Sequence, residues 1–246
     1  MSAIGGHILK IGELVATEYD DPVTDPDAQA RALAAESLAV NDPTGWFERL
    51  YVAAGAGVAE VPWDRGAANP VLTQWAQQQN VHGDGRRAVV VGCGLGMDAE
   101  FVASAGFATT AFDVSETGVR TARERFPDSA VDYRTANLLD PPAEWRHGFD
   151  FVLESLTVQS LPPDYQRTAT HHVADLVAAG GTLLVIAMVP SPADDGTGPP
   201  WLLSRADIEA FAYGGLESVL VEEIREDTSA WGRWRAEFRR PAGDPT

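Results

Sequence analysis

Gly92, Gly94 and Gly96 stand at alternate positions directly after Val89-Val90-Val91, in the stretch VVVGCGLGMDAEF. Valine favours a strand, and glycine permits backbone angles that side chains resist, so the pattern ends a buried strand in a bare turn. Such a turn lets a ligand lie against the main chain. Asp113, 19 residues past Gly94, ends the next apolar run. An ionised carboxylate there is a fit acceptor for ribose hydroxyls. Asp98, just after the turn, either caps the following helix or contacts the ligand. Cys93 is the only cysteine and has no His or Asp in motif spacing, so it reads as a small turn residue. A lone cysteine excludes an intrachain disulfide and a cysteine-based zinc site. His171 and His172 are adjacent in a helix and point to different faces, which argues against a metal site.

Positioning these groups requires alternating strands and helices. Residues 89–91, 108–112, 130–133, 149–153 and 182–187 read as strands. Residues 97–104, 115–126 and 164–178 read as helices between them, the last closed by Gly180-Gly181. Strands separated by helices imply parallel pairing in a doubly wound sheet. Ser204-Arg205-Ala206-Asp207 is a capping box opening a helix to about Tyr213. Residues 218–224 and 233–238 follow with no helix between them, an antiparallel hairpin joined around 226–232. The expected fold class is α/β: a mostly parallel seven-stranded sheet with a C-terminal antiparallel hairpin. The proline- and glycine-rich residues 190–200 form a loop. Ahead of the sheet, residues 25–40 read as a helix with Asp25-Pro26 as cap and first turn, and 46–54 as a second short helix. Residues 1–64 are thus a helical extension expected to act as a lid, and residues 65–246 the main domain.

The chain has 246 residues, 45% of them hydrophobic, enough for one large α/β domain. Its formal net charge is −18, with 11 acidic against 3 basic side chains in residues 1–64. Such a surface repels phosphate backbones and argues against a nucleic-acid partner. No apolar run reaches the roughly 20 residues that cross a bilayer. The start, MSAIGGHILKIGELVATEYDD, lacks the apolar core of a secretion signal. A cytoplasmic protein without a membrane partner is the expectation.

Two cofactor readings compete for the turn. From Gly94 the letters G-L-G-M-D-A satisfy the loose dinucleotide fingerprint. From Gly92 they read G-C-G-L-G, which resembles the compact turn that methyltransferases use for S-adenosylmethionine. Gly92 directly follows the valines, which favours the second frame. Ala136-Asn137-Leu138-Leu139-Asp140 follows the third strand, where a resemblance to methyltransferases would place an adenine-binding acid or amide. The terminal hairpin is foreign to the usual dinucleotide sheet, and the length leaves little room for a separate substrate domain. S-adenosylmethionine is the cofactor these signals favour.

VVVGCGLGMDAEF, TAFDVSETGV, ANLLDPPAEW, FDFVLESLTVQSLPP and VAAGGTLLVIA occur in the order of a class I methyltransferase domain, which residues 86–190 resemble. Val61-Pro62-Trp63-Asp64-Arg65-Gly66, with Pro70 beyond, resembles the P-W-D-x-G segment of the thiopurine, thiol and halide methyltransferase group. Asp98 and Pro162-Pro163 match that group as well. The resemblance implies a Rossmann-like fold and roles by position. Gly92, Gly94 and Gly96 would admit the methionine and ribose parts of the cofactor, Asp113 would bind the ribose hydroxyls, and Val114 would pack on the adenine. Asn137, where many relatives have aspartate, would accept from the adenine amino group, and Leu138 would supply a main-chain contact. Glu154 would point into the crevice beside the methyl group, and Trp63 would cover the cofactor.

The implied reaction moves a methyl group to a small-molecule acceptor by direct displacement, with alignment and a dry pocket as the protein's contribution. A thiolate or halide acceptor needs no base. An oxygen or nitrogen acceptor would draw on Glu154, Tyr165 or His171. The pocket is expected between the extension and the strand ends, walled by Trp46, Phe47, Tyr51, Trp63, Thr157, Gln159 and Trp201. The alternative is a non-catalytic cofactor-binding module. Its mark would be a decayed glycine turn or a lost Asp113, and both are intact.

Overall fold

The valine run is buried on both faces of a sheet. A computed structural model describes residues 25–191, 194, 196–225 and 232–243. In it β1 (Arg87–Val91) pairs in parallel with β2 (Ala108–Asp113) and with β4 (Phe149–Ser155). Further parallel pairs join β2 to β3 (Asp132–Thr135) and β4 to β5 (Val177–Met188). β7 (Arg233–Arg239) runs antiparallel between β5 and the edge strand β6 (Glu217–Ile224), giving the order β3-β2-β1-β4-β5-β7-β6. The C-terminal hairpin therefore closes the sheet as expected, with its second strand inside. The chain winds outward in opposite directions from β1 and β4, so a crevice opens where their carboxyl ends diverge.

Alternate side chains of β1 serve two cores. Ala88 and Val90 meet α3 (Pro70–Gln78), α4 (Met97–Ser104) and α5 (Glu116–Arg125) through Leu72, Val102 and Val119. Val89 and Val91 share the other core with Val173 of α6 (Pro163–Asp175) and Ile208 of α7 (Arg205–Glu209). A third, smaller core joins Ala30 and Ala34 of α1 (Pro26–Leu38) to Trp46 and Leu50 of α2 (Gly45–Gly55). Asp25 caps α1 by accepting from Asp27 N at 3.0 Å, as its sequence announced.

Several bounds differ from the sequence reading. Helix α3 was not foreseen, although Asn69 caps it through Val71 N at 3.0 Å and Pro70 opens it. Helix α6 stops at Asp175 rather than residue 178, because β5 already begins at Val177. Gly180 and Gly181 lie within that strand, where the register against β4 shifts between Phe149 and Phe151. A Cβ on Gly181 would sit 2.9 Å from Phe149 O, so only glycine lets the strands meet there. Strand β3 starts at Asp132, and α7, opened by the expected capping box, ends at Glu209. The joint of the hairpin at 226–231 and the N-terminal residues 1–24 lie outside the described residues.

Candidate active site

The turn after β1 holds Gly92, Gly94 and Gly96 at φ of 60°, 53° and 92°. Each is bare for a different reason. A Cβ on Gly92 would overlap Thr157, and one on Gly96 would reach 2.5 Å from the Tyr133 hydroxyl. At Gly94 it would come 3.1 Å from the Tyr51 hydroxyl and 3.3 Å from Trp63 Nε1. Gly94 is therefore where main chain faces the aromatic cover. Cys93 N donates to Phe112 O at 2.8 Å and ties the turn to β2.

Asp113 ends β2, buried, with Oδ2 accepting from Gly94 N at 3.0 Å and Oδ1 from Ser115 N at 2.9 Å. Burial, helped by the nearby Glu48 charge, raises its carboxyl above the ordinary range against those main-chain bonds. The Val114 main chain bonds the same carboxylate, whose roughly four acceptor sites still leave lone pairs for a further donor.

A cavity of about 380 Å³ opens over this turn. Gly92, Gly94 and Asp98 line it, with Asp113, Val114, Asn137 and Leu138 from the ends of β2 and β3. Trp46, Phe47, Tyr51 and Trp63 come from the N-terminal side, and Thr157 and Gln159 from the turn after β4. Trp63 Nε1 donates to Tyr51 Oη at 3.0 Å, and the Trp63 ring meets Trp46, Phe47 and Tyr51 edge-on, with centroids 6.0, 6.2 and 6.0 Å away. Asp98, in the first turn of α4, accepts from Asn69 N at 2.7 Å, and burial raises its carboxyl. It does not cap the helix, one of the two roles expected of it: α4 opens at Gly96 without a side-chain cap, and Asp98 lines the cavity instead. The Asn137 amide oxygen accepts from Leu139 N at 2.9 Å, and the Leu138 carbonyl accepts from the His172 ring at 2.7 Å. Both groups proposed to meet the adenine are thereby fixed within the protein first.

Three residues of the expected site are not part of the lining: Gly96, Glu154 and Trp201. Gly96 packs against Tyr133. Trp201 lies against the α1–α2 core, its N donating to Gln159 O at 2.7 Å. Glu154 turns under the wall, its Oε1 accepting from Thr157 N at 2.8 Å and Val158 N at 2.9 Å. The chain bends at Leu156, a non-glycine residue at φ 65°, so the N–H groups of the next turn fold back over Glu154. Its Oε2 is buried without a partner, and burial pushes the carboxyl up to about 7. Of the other proposed bases, His171 stacks on Tyr213 with centroids 3.6 Å apart, and Tyr165 packs on the α6 core; neither lines the cavity. Sequence reasoning missed the lining residues Asn69, Ser155, Leu156 and Met188. The Asn-Pro pair at 69–70 was the one signal that pointed to any of them.

Among the described residues, no group of three or more His, Cys, Asp and Glu is placed to hold a metal. No described helix is long and apolar enough to cross a membrane.

Comparison with known proteins agrees with this geometry. The family model for thiopurine S-methyltransferase matches residues 57–237. Thiocyanate methyltransferase 1 of Brassica oleracea is 25% identical over 183 residues, covering 71% of this chain and 79% of its own. Probable thiol methyltransferase 2 of Arabidopsis thaliana is 24% identical, covering 84% and 91%. The fold superposes on Burkholderia thailandensis 1,6-didemethyltoxoflavin-N1-methyltransferase with a TM-score of 0.63 at 14% identity, over 84% of this chain and 90% of that one. The bare main chain at Gly94, the spare lone pairs of Asp113 and the aromatic cover fit S-adenosylmethionine, and the chain belongs to the thiopurine S-methyltransferase family of enzymes that use it.

Proposed function

We propose that the chain methylates a small sulfur nucleophile, a thiolate or thiocyanate-like anion, in the cavity between its N-terminal helices and the carboxyl ends of the strands. S-adenosylmethionine supplies a methyl group already activated by a positively charged sulfur. What the residues around the cavity add is orientation and exclusion of water. Main chain at Gly92 and Gly94 and the Asp113 carboxylate form the binding floor. Trp46, Phe47, Tyr51 and Trp63 form an apolar cover, and Thr157 and Gln159 shape the wall beside it.

One observation carries the choice of sulfur: of the four acids that line the cavity among the described residues, three already hold partners and the fourth, Asp27, lies exposed. Asp98 is bonded to Asn69 N, Asp113 to Gly94 and Ser115, and Asp64 to Arg125 at 3.1 Å. Tyr51 accepts from Trp63, and burial together with the Asp113 charge holds its phenol well above the usual range. Asp27 lies exposed at the start of α1. A thiol ionises near pH 8.5 and needs little help, whereas a phenol at about pH 10 needs a base in place. Arg65 and Arg233, among the cavity's lining, offset the acidity of the chain for an anionic acceptor. The names of the relatives from Brassica and Arabidopsis support the same acceptor class. The single buried cysteine requires no oxidising compartment and fits action in the cytoplasm.

The test is methyl transfer to a matched panel at pH 7: an aryl thiol, hydrosulfide, thiocyanate, and the phenol and aniline of the same ring. The thiol should exceed its phenol by about 30-fold or more, the ratio of their ionised fractions at pH 7 without a base. A phenol or aniline methylated faster than the thiol would overturn the proposal. Binding of S-adenosylhomocysteine with no transfer to any member would instead favour a non-catalytic module.

A further inference from the structure

The helix that follows Asp113 is capped by an acid from elsewhere in the chain. Glu48, in the first turn of α2, sets its carboxylate over the N-terminus of α5. Its Oε2 accepts from Ser115 Oγ at 2.5 Å and Thr117 N at 3.0 Å, and its Oε1 from Thr117 Oγ1 at 2.6 Å. Burial pushes this carboxyl up, but the Ser115 and Thr117 bonds, with the Arg120 charge, outweigh it and hold it below its usual range. A carboxylate is favoured near a helix N-terminus, and Glu48 stands at two of them.

Ser115 links this contact to the binding floor. It is fully buried; its N donates to Asp113 Oδ1 at 2.9 Å while its hydroxyl donates to Glu48 and accepts from Gly118 N at 2.9 Å. Farther along α2, Tyr51 lays its ring on Gly118, where a Cβ would come within 3.0 Å. That close approach accounts for a glycine inside α5, where it costs helix stability. At the last turn of α5, Arg125 Nη1 holds both oxygens of Asp64, at 3.1 and 3.2 Å. One helix thus grips α2 at its start and the Pro62-Trp63-Asp64 segment at its end.

We propose that Glu48 is a positioning residue for methyl transfer: it latches the N-terminal extension onto α5 and, through Ser115, couples closure of the aromatic cover to the carboxylate of Asp113. The effect on turnover rests on the methyltransferase reading. The latch itself does not, which lets the two be tested apart.

Limited proteolysis of the full chain without ligand reads the latch directly, scored at the connections 39–44 and 56–61. Glu48→Ala should raise cleavage there about tenfold, the scale of losing one charge-assisted hydrogen bond. Glu48→Gln keeps an acceptor oxygen and should stay within about threefold of the parent. Thr117→Val, made on the opposite partner, should also speed cleavage, and its combination with Glu48→Ala should add little, since both break one contact. S-adenosylhomocysteine should bring the cleavage of Glu48→Ala back toward the parent's rate, because ligand and latch both favour the closed arrangement. Its affinity should fall by less than cleavage rises, since binding follows the closed fraction and cleavage the open one. Parental cleavage rates in both single variants, or fully additive effects in the pair, would overturn the latch. Faster cleavage in a protein whose parent does not bind S-adenosylhomocysteine would keep the latch and remove the methyltransferase reading.

Discussion

Asp113 holds two main-chain N–H groups with one carboxylate, so it shapes the glycine turn before any ligand arrives. Asp113→Ala should weaken S-adenosylhomocysteine binding by about 10- to 100-fold, the cost of losing a charged acceptor. Asp113→Asn keeps one acceptor oxygen and should fall between Ala and the parent. Calorimetry giving equal affinity for Asp113→Ala and the parent would exclude a ribose-binding role. At this scale the sequence reveals residues whose type is rare where they stand: glycines at alternate positions, and an acid closing an apolar strand. It hides orientation. Glu154 ends a strand in the same crevice, yet its carboxylate caps the turn at Thr157 and Val158. The deciding fact is the bend at Leu156, a conformation nothing about leucine announces.

Helix α2 and the segment around Trp63 pack on one another beside the cavity. The Trp63 ring touches Trp46, Phe47 and Tyr51 and donates a hydrogen bond to Tyr51, while the Tyr51 ring rests on α5. Trp63→Ala removes three edge contacts, each about 0.5–1.5 kcal/mol beyond area burial. S-adenosylhomocysteine affinity should fall about tenfold and turnover further, since an opened cover admits water and loosens alignment. Trp63→Phe should recover part of both. Parental turnover in Trp63→Ala would mean that the aromatic cover is not a lid. Elements were readable where two signals coincide, as where the valine run and the glycine turn fix the end of β1 and the start of α4, although β1 itself begins two residues earlier, at Arg87. They were misread where one signal stood alone. Val177-Ala178-Ala179 suits a helix as well as a strand, and pairing with Phe149 decides for β5. Helix α3 carried only its Asn-Pro cap, with no long periodic face to confirm it.

Across the whole molecule, stability should follow the protons held by its buried acids. Glu154 is lifted by burial from 4.5 to about 7, and Asp98 and Asp113 are raised as well. A raised carboxyl binds its proton more tightly folded than unfolded. Its contribution is therefore greatest at low pH, declines as pH climbs past the unfolded value, and levels off above the folded one. For Glu154 that window runs from 4.5 to about 7, and the shift corresponds to about 3 kcal/mol. The chain's net charge of −18 at pH 7 adds repulsion in the same direction. Glu48 opposes it only at the acid end, because its lowered carboxyl stabilises above the unfolded value and loses that contribution as pH falls. With a pI near 4.5, urea unfolding is best followed from pH 5.5 to 8. The parent's midpoint should decline across that range. Glu154→Gln keeps the amide oxygen for Thr157 and Val158 but has no proton to lose. Burying its NH₂ group carries a fixed cost of about 1–3 kcal/mol that is independent of pH. Its stability relative to the parent should therefore improve from pH 5.5 to about 7 and level off toward 8, whatever its absolute value. Parallel curves for the two proteins would show that Glu154 does not titrate in this interval, and the decline would then belong to the surface charge alone.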